Sequence, residues 1–164
     1  MTEVRLVTAK ALFLLLATLS LTANSEGVTV ATLDGERGGL GGHLVKDKVN
    51  VVMVWTTYCG VCRGQYPLIS KFHDQYKEGD AVVLGISLDG FDATEKVRSY
   101  RTEQRHSFPS VISESKQFAE LYEKTTGEDF TGTPTYLVFN KEGGLIAYLD
   151  GPISQKGLDK LMAN

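Results

Sequence analysis

Apolar and polar positions alternate along the chain in a way that marks out most of its elements. Val28–Leu33 reads as a short strand closed by the turn pair Asp34-Gly35. Val49–Trp55 (VNVVMVW) is a nearly continuous run of β-branched and aromatic residues, the pattern of a strand buried on both faces. From Cys59 to Tyr76 the spacing changes to three and four. Tyr66, Ile69, Phe72 and Tyr76 then fall on one face of a helix, with a kink expected at Pro67. Ala81–Leu88 (AVVLGISL) is a second buried strand. Asp92 followed by Glu95 resembles a capping box, which would start a helix running to about His106, ended by Phe108-Pro109. Lys116–Lys124 carries Phe118, Leu121 and Tyr122 on one helical face. Thr135–Asn140 and Leu145–Leu149 form a hairpin across the turn Lys141–Gly144. Ser154 caps a last helix with Leu158, Leu161 and Met162. The predicted order is β, β, α, β, α, α, β, β, α. That order is α/β: a mixed central sheet flanked by helices on both faces.

The first 25 residues are a different material. A short basic segment with Arg5 and Lys10 precedes Ala11–Ala23, an uncharged Leu-rich run, and then the small-residue triplet Ala23-Asn24-Ser25. This is the pattern of a secretory signal peptide. We expect residues 1–25 to be removed after Ser25 and 26–164 to form one domain. The alternative is an N-terminal membrane anchor, but the run falls short of the roughly 20 apolar residues a spanning helix needs. Export means a periplasmic or otherwise extracytoplasmic compartment, where disulfides persist.

The composition supports one soluble domain: 164 residues, 42% hydrophobic and 23% charged. Net charge is −3 with no basic run, so nucleic acid is not an expected partner. The glycines of Gly38–Gly42 lack the pattern of a phosphate loop and read as a turn region.

The chemistry lies in Cys59-Gly60-Val61-Cys62, which follows a buried strand and opens a helix. Unpaired N–H groups and the positive end of the helix dipole favour a thiolate there. The first cysteine, at the lip, can attack a disulfide. The second, one turn inside, can resolve the mixed disulfide. Other uses fit less well. Haem attachment requires His at position 63, which is Arg. Zinc would need ligands from His43, His73 and His106, which are scattered, so no metal or other cofactor is expected. A structural disulfide across so small a loop would stabilise little. Gly132-Thr133-Pro134-Thr135 precedes a buried strand, and Pro134 reads as a cis proline facing the cysteines. Thr133 would then offer backbone groups to an extended substrate.

The segment Val54-Trp55-Thr56-Thr57-Tyr58-Cys59-Gly60-Val61-Cys62-Arg63, followed by Tyr66-Pro67, resembles the active-site signature of the thioredoxin superfamily. It looks most like the extracytoplasmic TlpA/ResA branch of thiol-disulfide oxidoreductases. Leu84–Leu88 with the following helix is similar to that branch's central insertion, and Gly132–Asn140, Glu142-Gly143-Gly144 and Gly151-Pro152-Ile153 also match its pattern. The resemblance implies a thioredoxin-like fold with an N-terminal β extension and a central helical insertion. It implies Cys59 as nucleophile, Cys62 as resolving thiol and Pro134 as the cis proline; Thr133, Pro134 and Trp55 are the candidate substrate-binding residues. Three departures stand out. Tyr58 replaces a usual Trp, no proline lies between the cysteines, and Met53 stands where relatives often carry a buried Asp or Asn. Asp89, at the end of the next strand, is the candidate substitute as a proton-transfer assistant, the other reading of a strand-end Asp being a turn former.

The expected activity is disulfide exchange with exported protein substrates, and the resemblance implies the reducing direction, as in cytochrome c maturation or disulfide repair. It needs an upstream thiol reductant or oxidant, for which a membrane-protein electron donor is a candidate. The alternatives are an oxidant or isomerase, a thiol peroxidase, and a binding module with an inert disulfide. Thr56 and Cys59 match part of a peroxidase T-x-x-C pattern, but the proline expected at position 52 is Val.

Overall fold

A computed structural model describes residues 27–162; the expected signal peptide lies outside the described residues. Seven strands form one sheet: β1 (Thr29–Thr32), β2 (Arg37–Gly39), β3 (Val49–Trp55), β4 (Ala81–Ser87), β5 (Ser110–Ile112), β6 (Thr135–Phe139) and β7 (Leu145–Asp150). Their order across the sheet is β2-β1-β5-β4-β3-β6-β7. β3 pairs parallel with β4 and antiparallel with β6, so the sheet is mixed, as its pattern predicted. Four helices flank it: α1 (Gly60–Tyr76), α2 (Thr94–Glu103), α3 (Ser115–Thr126) and α4 (Gln155–Met162).

Strand β3 explains why the sheet sits in the middle of the molecule. Successive side chains of a strand point to opposite faces. Val51, Met53 and Trp55 enter one apolar cluster, with Tyr66, Ile69 and Phe72 of α1 and Leu158 of α4. Val52 and Val54 enter the other, with Phe118 and Tyr122 of α3. Both faces are thereby buried, which is what the unbroken apolar run required.

Two strands escaped the sequence reading. Arg37–Gly39 overlaps the glycine stretch read as a turn region, yet it pairs antiparallel with β1 as an exposed edge. Ser110–Ile112 is too short to show a period. It becomes a strand because β4 and β1 flank it and take up its backbone groups. The capping box at Asp92 and Glu95 does not form. A 3-10 turn over Phe91–Ala93 comes first, and α2 begins at Thr94 with no side-chain cap on Ala93. The Glu114 carboxylate instead accepts the Phe91 N–H at 2.8 Å. Helix α2 also ends at Glu103, short of His106, because Arg105 takes a positive φ of 54°. That turn drops His106 into a set of aromatic rings. Helix α1 continues through Pro67. Ser154 does cap α4, accepting the Gly157 N–H at 3.2 Å.

Candidate active site

Strand β3 delivers the chain to the site, and the turn after it sets the position of Cys59. Cys59 N–H donates to Thr56 O at 3.2 Å, and Cys59 is the N-cap of α1 in extended conformation. Its Sγ accepts the Cys62 N–H at 3.0 Å, so the sulfur takes the place of the oxygen that usually caps a helix. Cys59 and Cys62 are joined by a disulfide. Cys62 is fully buried against the α1 face of the sheet, and Cys59 is half-buried. The lip beside them is apolar: Tyr58 is 77% exposed and Val61 55%.

Because β3 and β6 run antiparallel with Val54 opposite Thr135, the end of one strand meets the start of the other. This brings Gly132–Thr135 against the cysteines. The Thr133–Pro134 bond is cis, as expected, and Thr133 O lies 3.4 Å from Cys59 Sγ. The two segments meet at one end of the two central strands, not at a sheet edge. Pro134 is buried, and its carbonyl accepts the Gly151 N–H at 2.8 Å. Thr135 Oγ1 lies 2.6 Å from Gly132 O and 3.1 Å from Asp150 Oδ1. Asp150 Oδ1 also accepts the Tyr122 hydroxyl at 3.0 Å. Burial first, then Asp150, pushes the Tyr122 phenol up to about 12.

Trp55 loses its expected role in this setting, and Asp89 takes the turn-forming one. Trp55 is wholly buried and presents no surface to a substrate. Its ring stacks on Tyr100 and meets Tyr66 edge-on, each with centroids 5.8 Å apart. It is a floor beneath the disulfide, because the last residue of β3 points into the α1 cluster. The exposed positions are instead Tyr58 and Val61, on the turn and the first helical turn.

Asp89 follows β4, and its side chain is only 2% exposed. Its carboxylate accepts the Thr57 N–H at 2.9 Å, the Ser87 hydroxyl at 2.7 Å and the Thr57 hydroxyl, and Lys96 Nζ stands at 3.4 Å. Burial opposes its ionisation, but these bonds, led by the Thr57 hydroxyl, outweigh it and hold the carboxyl below its usual range. The group is an anchored carboxylate that fixes the turn before Cys59. Met53 lies in the core beside Gly85 and Tyr136 in register, with no polar group to offer.

His106 packs 3.8 Å from the Tyr66 ring centroid and 5.0 Å from those of Trp55 and Phe108. Neither imidazole nitrogen has a hydrogen-bond partner among the described residues. Burial, then the Arg101 guanidinium, pushes its titration down to about 4. His73, another scattered histidine, accepts the Val83 N–H through Nδ1 at 3.1 Å and is a packing residue. Among the described residues no three His, Cys, Asp or Glu side chains gather as a metal site.

The Asp150–Tyr122 contact left no trace in the sequence, since its partners are 28 positions apart. Tyr58 and Val61 were legible only as neighbours of the cysteines.

The Redoxin family model matches residues 24–161. Among curated proteins, the chain is 25% identical to the thiol-disulfide oxidoreductase YkuV of Bacillus subtilis over 136 residues, covering 78% of this chain and 87% of YkuV. It is 22% identical to the thiol-disulfide oxidoreductase ResA of Halalkalibacterium halodurans over 108 residues, or 66% of this chain, and spans 57% of ResA's length. Among solved structures, a thioredoxin-family thiol:disulfide interchange protein from Chlorobium tepidum superposes with a TM-score of 0.67 at 20% identity, over 84% of this chain and 92% of that one.

Proposed function

The chain belongs to the Redoxin family and is a thioredoxin-like thiol-disulfide oxidoreductase, and we propose that it works outside the cytoplasm, reducing disulfides of exported proteins. The observation that carries this reading is the unequal exposure of the two bonded sulfurs at the N-terminus of α1. Cys59 is half-buried and Cys62 is closed off.

In the reduced protein, the Cys59 thiolate attacks one sulfur of a substrate disulfide. A mixed disulfide forms, and the other substrate sulfur leaves as a thiolate that takes up a proton. Cys62, deprotonated in its turn, attacks Cys59 Sγ. The Cys59–Cys62 disulfide forms, and the second substrate sulfur leaves. Two electrons have passed to the substrate. An upstream thiol reductant returns them, and a membrane protein is a suitable donor for an exported enzyme. The helix N-terminus and the Cys62 N–H favour negative charge on Cys59. Thr133, half-buried and set by the buried cis Pro134, forms the facing wall along which an extended substrate segment lies. Asp89 enters as the holder of the Thr57 turn. Residues 1–25 serve as a signal peptide, and 26–164 form the exported domain.

The deciding measurement is the equilibrium of the Cys59/Cys62 couple in glutathione buffers of graded ratio. A couple more reducing than glutathione supports the proposed direction. A strongly oxidising couple would replace it with disulfide formation. Intact mass of protein from an extracytoplasmic fraction should give Glu26 as first residue, and a retained Met1 with membrane association would replace cleavage with anchoring.

A further inference from the structure

The loop that faces Cys59 is held by side chains from two other elements, and the exchange chemistry itself does not call on them. Asp150 ends β7 and stands opposite Thr135, the first residue of β6. Its Oδ1 accepts the Tyr122 hydroxyl of α3 at 3.0 Å and lies 3.1 Å from Thr135 Oγ1. Thr135 Oγ1 is in turn 2.6 Å from Gly132 O. A hydroxyl has one proton, so Thr135 shares it between Gly132 O and Asp150 Oδ1, and two acceptors fix its orientation. One residue further on, the Gly151 N–H donates to Pro134 O at 2.8 Å. These contacts close around Thr133, whose carbonyl oxygen is 3.4 Å from Cys59 Sγ.

We infer that Asp150 is a positioning residue for disulfide exchange: together with Tyr122 and Thr135, it fixes the Gly132–Thr135 loop so that the Thr133 backbone meets both Cys59 and an extended substrate segment. The inference rests on the reading of the protein as a disulfide exchanger. Two consequences follow from the geometry. A fixed loop offers its backbone groups already ordered, whereas a loose one must be ordered at each encounter, which weakens binding. The Thr133 carbonyl also aims the negative end of its dipole at Cys59 Sγ. Once the disulfide is reduced, the Cys59 S–H donates to that carbonyl, and a bond to the protonated form disfavours the thiolate. Loosening the loop removes this restraint.

The rival role is simple fastening of α3 to the end of the sheet. The two roles separate in the full-length protein, reduced and mixed with two probes: oxidised glutathione, and a synthetic extended peptide carrying a disulfide. Asp150→Ala should raise KM for the peptide about fivefold, the factor that one hydrogen bond of ordinary net strength carries. Its ultraviolet thiolate absorbance should appear at lower pH than in the wild type. Asp150→Asn keeps the acceptor oxygen and should restore both readouts. An Asp150→Ala protein with a lowered Tm but unchanged KM and thiolate titration would show fastening alone and overturn the inference. Equal losses in Asp150→Ala and Asp150→Asn would also overturn it. If Asp150→Ala does not fold, Tyr122→Phe and the pair Thr135→Ser and Thr135→Val decide by the same readouts: the hydroxyl-bearing variant should resemble the wild type, and the others should not. A wild type that exchanges with neither probe removes the functional reading itself. A wild type that exchanges while the variants match it removes only the role of Asp150.

Discussion

Thr133 and Cys59 meet with 3.4 Å between carbonyl oxygen and sulfur although they lie 74 positions apart in the chain. The antiparallel pairing of Val54 with Thr135 brings them together. The site is therefore made by the sheet, and side chains that hold the sheet ends matter to it as much as those that touch sulfur.

The first expected outcome concerns the order of the two cysteines. Cys62→Ser should accumulate mixed disulfides through Cys59, because the buried resolving thiol is gone. Cys59→Ser should accumulate none, since Cys62 is fully enclosed. Non-reducing electrophoresis with mass mapping checks this, and equal trapping by both variants would reverse the assignment.

Tyr58 tests the apolar lip. At 77% exposure it contributes little to folding, so Tyr58→Ala should change stability by no more than about 0.5 kcal/mol. The same substitution should raise KM for a peptide disulfide severalfold. An unchanged KM would place substrate contact elsewhere.

Asp89 holds Thr57 through a backbone and a side-chain bond. Asp89→Ala leaves those donors unpaired and should cost about 2–4 kcal/mol by denaturant titration. Its carboxyl titrates below the usual range in the folded state. The stabilisation it gives is thus complete above the unfolded value of about 3.9 and is lost as pH falls through the folded one. The Asp89→Ala protein should lack this acid-dependent loss.

His106 gives a second, higher window. Its folded titration lies near 4, and the unfolded imidazole titrates at about 6.5. The unfolded chain therefore binds the proton first. Stability from this group is complete above about pH 6.5 and falls progressively as pH drops towards 4. Thermal melts should show Tm declining across that range, and less steeply in His106→Phe. Parallel declines in both proteins would assign the acid sensitivity to other groups.

Gly85 lies where β4 passes beneath the aromatic rings. A Cβ there would stand 2.8 Å from Trp55 Nε1 and 3.1 Å from Phe108 Cε2, and closer still to Ser110 Oγ. Gly85→Ala should destabilise by about 1–3 kcal/mol and alter the fluorescence of Trp55, the chain's one tryptophan. A neutral substitution would mean that Ser110 and the rings yield freely.

What could be read from the sequence followed from how far each signal reaches along the chain. The limits of β3 were legible because six of its seven residues are apolar and none is charged. The C-x-x-C pair was legible because its spacing is itself the chemistry. The strand Ser110–Ile112 was not, since its identity comes from β4 and β1 on either side. Trp55 was misread as a substrate contact because a signature fixes a residue's place in the chain without saying which face of the strand it occupies. Asp89 was legible as a carboxylate near the site. Its commitment to Thr57 and Ser87 appears only when β4 is laid beside β3.

Strand β3 supplies alternate side chains to two separate cores, and this makes it the gauge that sets where the chain emerges. A one-residue slip of the whole strand would move Met53 and Trp55 to the α3 side and Val52 and Val54 to the α1 side. The slip would exchange large side chains for small ones in both cores at once, so packing opposes the neighbouring register. The distance from the sheet to Cys59 is therefore set by the fit of large and small side chains four to ten residues upstream, well away from any sulfur. Variation in this protein should be tolerated at the exposed β2 edge and excluded, by packing alone, from the strand that aims the disulfide.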